Sequence, residues 1–240
     1  MKQVILALLT ALLAVSGTAG EPLPSLNTTP LSFQTTTRFD PKTNVQRTTL
    51  DPQGCDLEVY FEVPIFEEDG AGYERINAFF YELNAAFFTP ENGNIETLWQ
   101  GVTVQNAGDP PYHYRRDARV TTRTEQLVSV TITYDWYAGG VADYGSDSYT
   151  FRTDTGELLA LTDVAEGSEE ELRAMIEAAL KEQDGGAGVV EIGQARTRAL
   201  DEFEFYVQDG RVFLPFDKYE AAFGAYGGFV VELPAALKEF

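Results

Sequence analysis

Polar and apolar positions alternate most strictly in LVSVTITYDWY, where Val128, Val130, Ile132, Tyr134 and Trp136 fall on one side and Ser129, Thr131, Thr133 and Asp135 on the other. A period of two predicts a half-buried strand over 127–137. Shorter alternations predict strands in LSFQTTTRF and VQRTTL, either side of the turn pair Asp40-Pro41, and in ARVTTRTEQ. CDLEVYFEVPIF, with Leu57, Val59, Phe61 and Val63 on one side, predicts another that Pro64 ends or marks as an edge. Two stretches follow the helical period instead. YERINAFFYELNAAFF sets Ile76, Phe79, Phe80, Leu83 and Phe87 in one stripe, stopped by Pro90 and Gly93, and NIETLWQGVTV extends the pattern by a turn or two. The second helix starts at Ser168, which forms a capping box with Glu171, carries Leu172, Met175, Ile176 and Ala179, and ends near Gly185-Gly186.

Beyond these lie SYTFRT and ELLALTDV around Asp154-Thr155-Gly156, and FEFYVQ and RVFLPF around Asp209-Gly210. Asp-Gly between two such runs predicts a hairpin with a two-residue primed turn. GGFVVEL reads as a last strand, and Pro234 is placed to open a short terminal helix. Antiparallel runs with only two long helices predict an α+β class, with antiparallel sheets, two main amphipathic helices packed on them, and two subdomains sharing a core. A split between residues 100 and 115 gives an N-terminal subdomain over 31–110 and a C-terminal one over 111–240.

The first twenty residues, MKQVILALLTALLAVSGTAG, place a Lys ahead of an apolar run and small residues, the pattern of a secretory signal cleaved after Ala19 or Gly20. A retained anchor is the alternative. Residues 21–30, EPLPSLNTTP, form a flexible leader. The expected location is therefore secreted or extracytoplasmic at the cell envelope. The single cysteine, Cys55, cannot close an internal disulfide, so the domain must be held by its core, with Cys55 as a small buried hydrophobe. Thirty-eight acidic residues against 17 basic ones give a formal charge of −21. Such a field repels nucleic acid and anionic membranes and attracts cationic proteins or divalent ions, although it also serves solubility alone.

Catalytic equipment is sparse. The only histidine, His113, sits between Tyr112 and Tyr114 with no Gly-x-Ser-x-Gly elbow anywhere, so a Ser-His-Asp site is not expected and His113 is placed as a surface or loop residue. One His and one Cys are a poor supply for zinc, and the Gly pairs do not form a phosphate-cradling turn. Carboxylate pairs arise by chance among so many acids. Asp143 and Asp147 flank Gly145 as calcium ligands would, without the full loop pattern. No cofactor, no metal and no enzymatic activity are expected. The assigned ligand-binding residues are Tyr137, Gly139, Gly140, Asp143 and Tyr144, in which two glycines permit close approach and tyrosines supply rigid contact area. The alternative is that the glycines only shape a turn while the tyrosines pack on the sheet.

One resemblance rests on GGVADYG, then TDTGELLALTDV and a helix, then QDGRVFLPFDKYEAAFGAYGGFVVELP with its Tyr219-Glu220 pair and spaced glycines. These motifs resemble the extracytoplasmic lysozyme-binding domain, formerly a domain of unknown function, of the lysozyme-sensing anti-sigma factors of Gram-positive bacteria. Upstream, VYFEVPIF and the helix from Arg75 resemble the companion subdomain that precedes it there and in some polysaccharide deacetylases. Together they cover roughly 31–240. The resemblance implies an exported binding domain whose ligand is lysozyme, another cationic protein or a cell-wall glycan, and it does not extend to signalling across a membrane. The competing expectations are a carboxylate-dependent hydrolase of cell-wall polysaccharide and an accessory structural domain of the envelope.

Overall fold

Six strands lie side by side in chain order in a computed structural model that describes residues 33–52, 57–87, 112–138 and 142–239. They are β1 (Phe33–Asp40), β2 (Val45–Pro52), β3 (Leu57–Pro64), β4 (Tyr112–Arg123), β5 (Leu127–Tyr137) and β6 (Ala142–Arg152). Neighbours are antiparallel except β3 and β4, which run parallel. A parallel pair needs a crossover, and the connection between these two carries helix α1 (Ala71–Phe87). The predicted signal (1–20), the leader (21–30), Cys55, NIETLWQGVTV, Gly139 and Gly140 lie outside the described residues. Among those described, no helix is long and apolar enough to cross a membrane.

Ile76, Phe79, Phe80 and Leu83 of the predicted α1 stripe meet the sheet as their spacing requires. Ile76 and Phe80 are fully buried, and the rings of Phe79 and Phe80 meet Tyr149 and Phe151 edge-on at centroid distances of 5.1–5.7 Å. Gly72 in the first turn of α1 lies against the Thr153 and Asp154 backbone, and a methyl group there would overlap the Thr153 carbonyl. Gly156, at φ +70°, closes the same contact from the other side.

Two segments of this sheet differ from the sequence-based expectation. β4 begins at Tyr112, which places His113 in a strand rather than a loop. β6 begins at Ala142, so Asp143, Tyr144 and Asp147 belong to a strand, not to the loop in which calcium ligands would have been arranged.

After β6 the chain forms α2 (Leu161–Val164), α3 (Glu169–Asp184), α4 (Gln194–Thr197) and a 3-10 turn (Leu200–Glu202). ELLALTDV thus contributes only an isolated bridge, Leu158 to Phe151, before turning helical. A second, antiparallel sheet follows, made of β7 (Tyr206–Gln208), β8 (Arg211–Phe216) and β9 (Phe229–Leu233). Asp209 and Gly210 take φ of 51° and 72°, the primed turn that Asp-Gly demands. The capping box forms as predicted, with Glu171 N–H donating to Ser168 Oγ at 3.3 Å and Ser168 N–H donating to Glu171 Oε2 at 2.8 Å. Leu172, Ile176 and Leu180 of α3 are fully buried in the core shared with β7–β9. The helix ends on Asp184, whose carboxylate accepts the N–H groups of Gly188, Val189 and Val190 at 2.7–2.9 Å. Pro234 opens no helix. The segment after it runs extended, with Leu237 bridging to Ala165 and Lys238 N–H donating to the Val164 carbonyl at 2.8 Å.

The two sheets are joined by a buried polar row. Ser129 and Thr150, opposite each other on β5 and β6, share a hydrogen bond of 2.8 Å. Val207 N–H of β7 donates to Ser129 Oγ at 2.9 Å, and Thr122 Oγ1 donates to the Val207 carbonyl at 2.7 Å. The side-chain hydroxyls of Thr122, Ser129 and Thr150 in this joint are all hydrogen-bonded, as burial demands.

Candidate functional site

β6 pairs with β5 alone in the six-stranded sheet, so alternate N–H groups along it face outward. Two of them are taken by carboxylates from the C-terminal region. Ser146 N–H donates to Asp217 Oδ1 at 2.9 Å, and Ser148 N–H donates to Glu204 Oε2 at 3.1 Å. Gly145 makes room for this contact, since a Cβ there would collide with the Tyr134 hydroxyl and the Asp217 carboxylate. Tyr134 donates to Asp217 Oδ2 at 3.4 Å. Asp147 accepts from Arg116 Nη2 at 2.9 Å, and the Arg116 side chain is only 7% exposed.

So many carboxylates at one edge disfavour ionisation. Burial, with Glu220 and Asp147 adding repulsion, pushes the Asp217 carboxyl up to about 6, against the pull of Ser146 N–H and Tyr134. Burial also raises Asp147 despite Arg116. Desolvation of its carboxylate, with repulsion from Asp147, pushes Glu204 up to about 7 against the pull of Ser148 N–H. Burial and the carboxylates of Asp217, Asp143 and Asp147 hold the Tyr134 phenol well above its ordinary range.

Beside this edge lies an exposed aromatic patch. Tyr144 of β6 is 51% exposed, and the 217–228 loop adds Tyr219 at 71%, Phe223 at 56% and Tyr226 at 36%. Each tyrosine is held in place. Gly227 leaves the space occupied by the Tyr144 hydroxyl, because a Cβ there would stand 2.7 Å from that oxygen. The Tyr219 ring lies on Gly224, where any Cβ would overlap it, and Tyr219 itself takes the unusual φ of 70°. The Tyr226 hydroxyl donates to the Gln183 carbonyl and accepts from Gln183 Nε2, both at 3.1 Å. Its ring meets Phe229 edge-on at 5.6 Å.

The assigned residues divide across this geometry. Tyr144 joins the patch. Asp143 is opposite Trp136 on β5 and projects from the other face of the strand, with one carboxylate oxygen buried and unpaired among the described residues. Tyr137, at the end of β5, stacks on His113 at 6.0 Å. His113 is 15% exposed, with Nε2 3.0 Å from Asp135 Oδ2. Gly139 and Gly140 are not among the described residues. The sequence reading missed Asp217, Phe223 and Tyr226 as site residues. Their trace is FDKYEAAFGAYGGF, where aromatic residues recur with no core-facing period. Among the described residues, no group of three or more His, Cys, Asp or Glu is disposed to hold a metal ion.

No family model matches the chain, and no curated protein matches it. Solved structures do. A DUF3298 family member from Bacteroides fragilis superposes with a TM-score of 0.54 at 16% identity, covering 89% of this chain and 96% of that one. A DUF3298 protein from Pseudomonas aeruginosa superposes with a TM-score of 0.52 at 14% identity, covering 88% and 95%. This chain shares their fold. Neither is described with a ligand or a reaction, and at such identities the likeness speaks for architecture alone.

Proposed function

We propose that this protein is an exported, non-enzymatic binding domain of the bacterial cell envelope whose ligand is a cationic protein, with lysozyme as the first candidate. The observation that carries the reading is the patch of Tyr144, Tyr219 and Tyr226, exposed yet fixed, with exposed Phe223 in the same loop, beside the carboxylates of Asp217 and Glu220. Exposed aromatic side chains gathered in one place mark interaction surfaces, and pre-fixed tyrosines lose little entropy when a partner covers them. A basic partner suits the site twice over. The formal charge of −21 draws it in, and the Tyr219 ring already receives a cation, the Lys218 ammonium, 5.1 Å from its centroid. The resemblance of the 207–234 segment to the lysozyme-binding domain of anti-sigma factors points the same way.

The test is a titration of immobilised protein against lysozyme at low and moderate salt, together with protection of lysozyme activity. Docking through the patch should survive moderate salt and be weakened at least tenfold, about 1.4 kcal/mol, by a joint Tyr219→Ala and Tyr226→Ala change. Binding that vanishes with salt and ignores the tyrosines would be charge attraction only, and the reading would fail.

A further inference from the structure

The polar row that joins the two sheets does not end where β7 ends. Next to Ser129 and Thr150 the same face of the six-stranded sheet carries two more rows in register across β4, β5 and β6. One is Arg119, Thr131 and Ser148, and the other is Asp117, Thr133 and Ser146. These rows floor an open groove of about 360 Å³, whose opposite wall includes Tyr206 and Gln208 of β7. That is the lower end of the range for small-molecule sites, roughly 300–1,000 Å³.

The contrast with the first row is informative. Ser129 and Thr150 spend their hydroxyls on each other and on β7. The hydroxyls of Thr131, Thr133, Ser146, Ser148 and Tyr206 make no hydrogen bond to another described residue. Nor does Arg119 pair with any described carboxylate, whereas Asp117 on the same strand is engaged by Tyr60 and Arg47. Arg119 lies instead beside the Tyr206 phenol, whose ionisation burial disfavours and the guanidinium partly restores. Arg119 thus stands among five hydroxyls with no described carboxylate to neutralise it.

We infer that this groove is a binding site for a saccharide bearing a carboxylate. Serine and threonine hydroxyls both donate and accept, which matches a ring of hydroxyl groups, and the Tyr206 ring, stacked on Phe213 at 5.2 Å on one face, lines the groove where a sugar's C–H groups would lie. Arg119 supplies the one charge-matched contact, to a single carboxylate. A polyanion such as a nucleotide fits less well, because the overall negative charge opposes each added phosphate. This site is separate from the tyrosine patch and does not depend on the reading given to it.

The experiment uses ¹⁵N-labelled protein titrated with digalacturonate, of which one carboxylate meets Arg119 and the other extends into solvent, and with cellobiose as the neutral counterpart. Digalacturonate should shift the amides of Thr131, Thr133, Ser146 and Ser148. Arg119→Gln, an exposed change, should weaken it about tenfold, the weight of one charge-assisted hydrogen bond, and leave the folded spectrum intact. Three outcomes overturn the inference: no shift in these rows at millimolar sugar, cellobiose bound as tightly as digalacturonate, or indifference to Arg119→Gln. The double tyrosine variant should bind digalacturonate as the parent does, so failure here and failure of the lysozyme reading are told apart.

Discussion

Replacing Asp217 by Asn should change how stability depends on pH in one defined window. Asp217 holds the Ser146 N–H and the Tyr134 hydroxyl while facing Glu220 and Asp147, with Glu204 on the same edge, and its carboxyl is pushed from 3.8 up to about 6. A raised folded-state value means that the native state disfavours the charged form. Below the unfolded value both states hold the proton and the site carries no penalty. As pH climbs from about 4 to about 6 the unfolded chain releases its proton first, and a penalty grows until the native carboxyl ionises too. A displacement of this size is worth about 3 kcal/mol if fully felt. Solvent reaches half-buried Asp217, so we take about half, ~1.5 kcal/mol. Asn keeps a carbonyl for Ser146 N–H and removes the charge. Urea unfolding of both proteins at several pH values between about 4 and 8 measures the difference directly. The variant should match or slightly trail the parent at the acid end and gain about 1–1.5 kcal/mol on it by neutral pH. Two curves separated by the same amount at every pH would refute the reasoning.

Further perturbations test the frame around the site. Gly72→Ala should cost about 2–3 kcal/mol in chemical denaturation, because the methyl group meets backbone that cannot rotate away. Ser129→Ala should cost about 1–3 kcal/mol by leaving the buried Val207 N–H without its acceptor, and hydrogen exchange should show β7 loosening first. Ser168→Ala removes the α3 cap and should lower stability by about 1 kcal/mol without altering any binding.

How much of this was legible in the sequence depended on whether one face of each element was uniformly apolar. β5 has such a face, with Val128, Val130 and Ile132 almost fully buried, and its predicted limits hold. α1 and α3 were legible for the same reason. β6 was only half visible. Its first half, ADYGSDSY, sends Asp143 and Asp147 to one side and Tyr144, Ser146 and Ser148 to the other, so neither side looks like a core. The parallel β3–β4 pair left no local signal, since pairing direction is decided by the crossover rather than by either strand. Pro234 misled because Leu237 and Lys238 find partners in the 164–166 segment, a contact far away in sequence. Tyr144 could be picked out as an aromatic residue among glycines. Asp217 and Tyr226 could not, because they reach β6 only once the second sheet has packed against the first.

Side-chain carboxylates in place of a seventh strand also bear on self-association. An outer strand with bare amides is a template on which a second copy can add its own strand, and repeated addition builds fibres. Here a newcomer would have to evict Asp217 and Glu204 from Ser146 and Ser148 before it could zip on. It would also bring its own negative charge against theirs. The edge is therefore closed to polymerisation without a covering helix, which leaves the neighbouring surface open to other molecules.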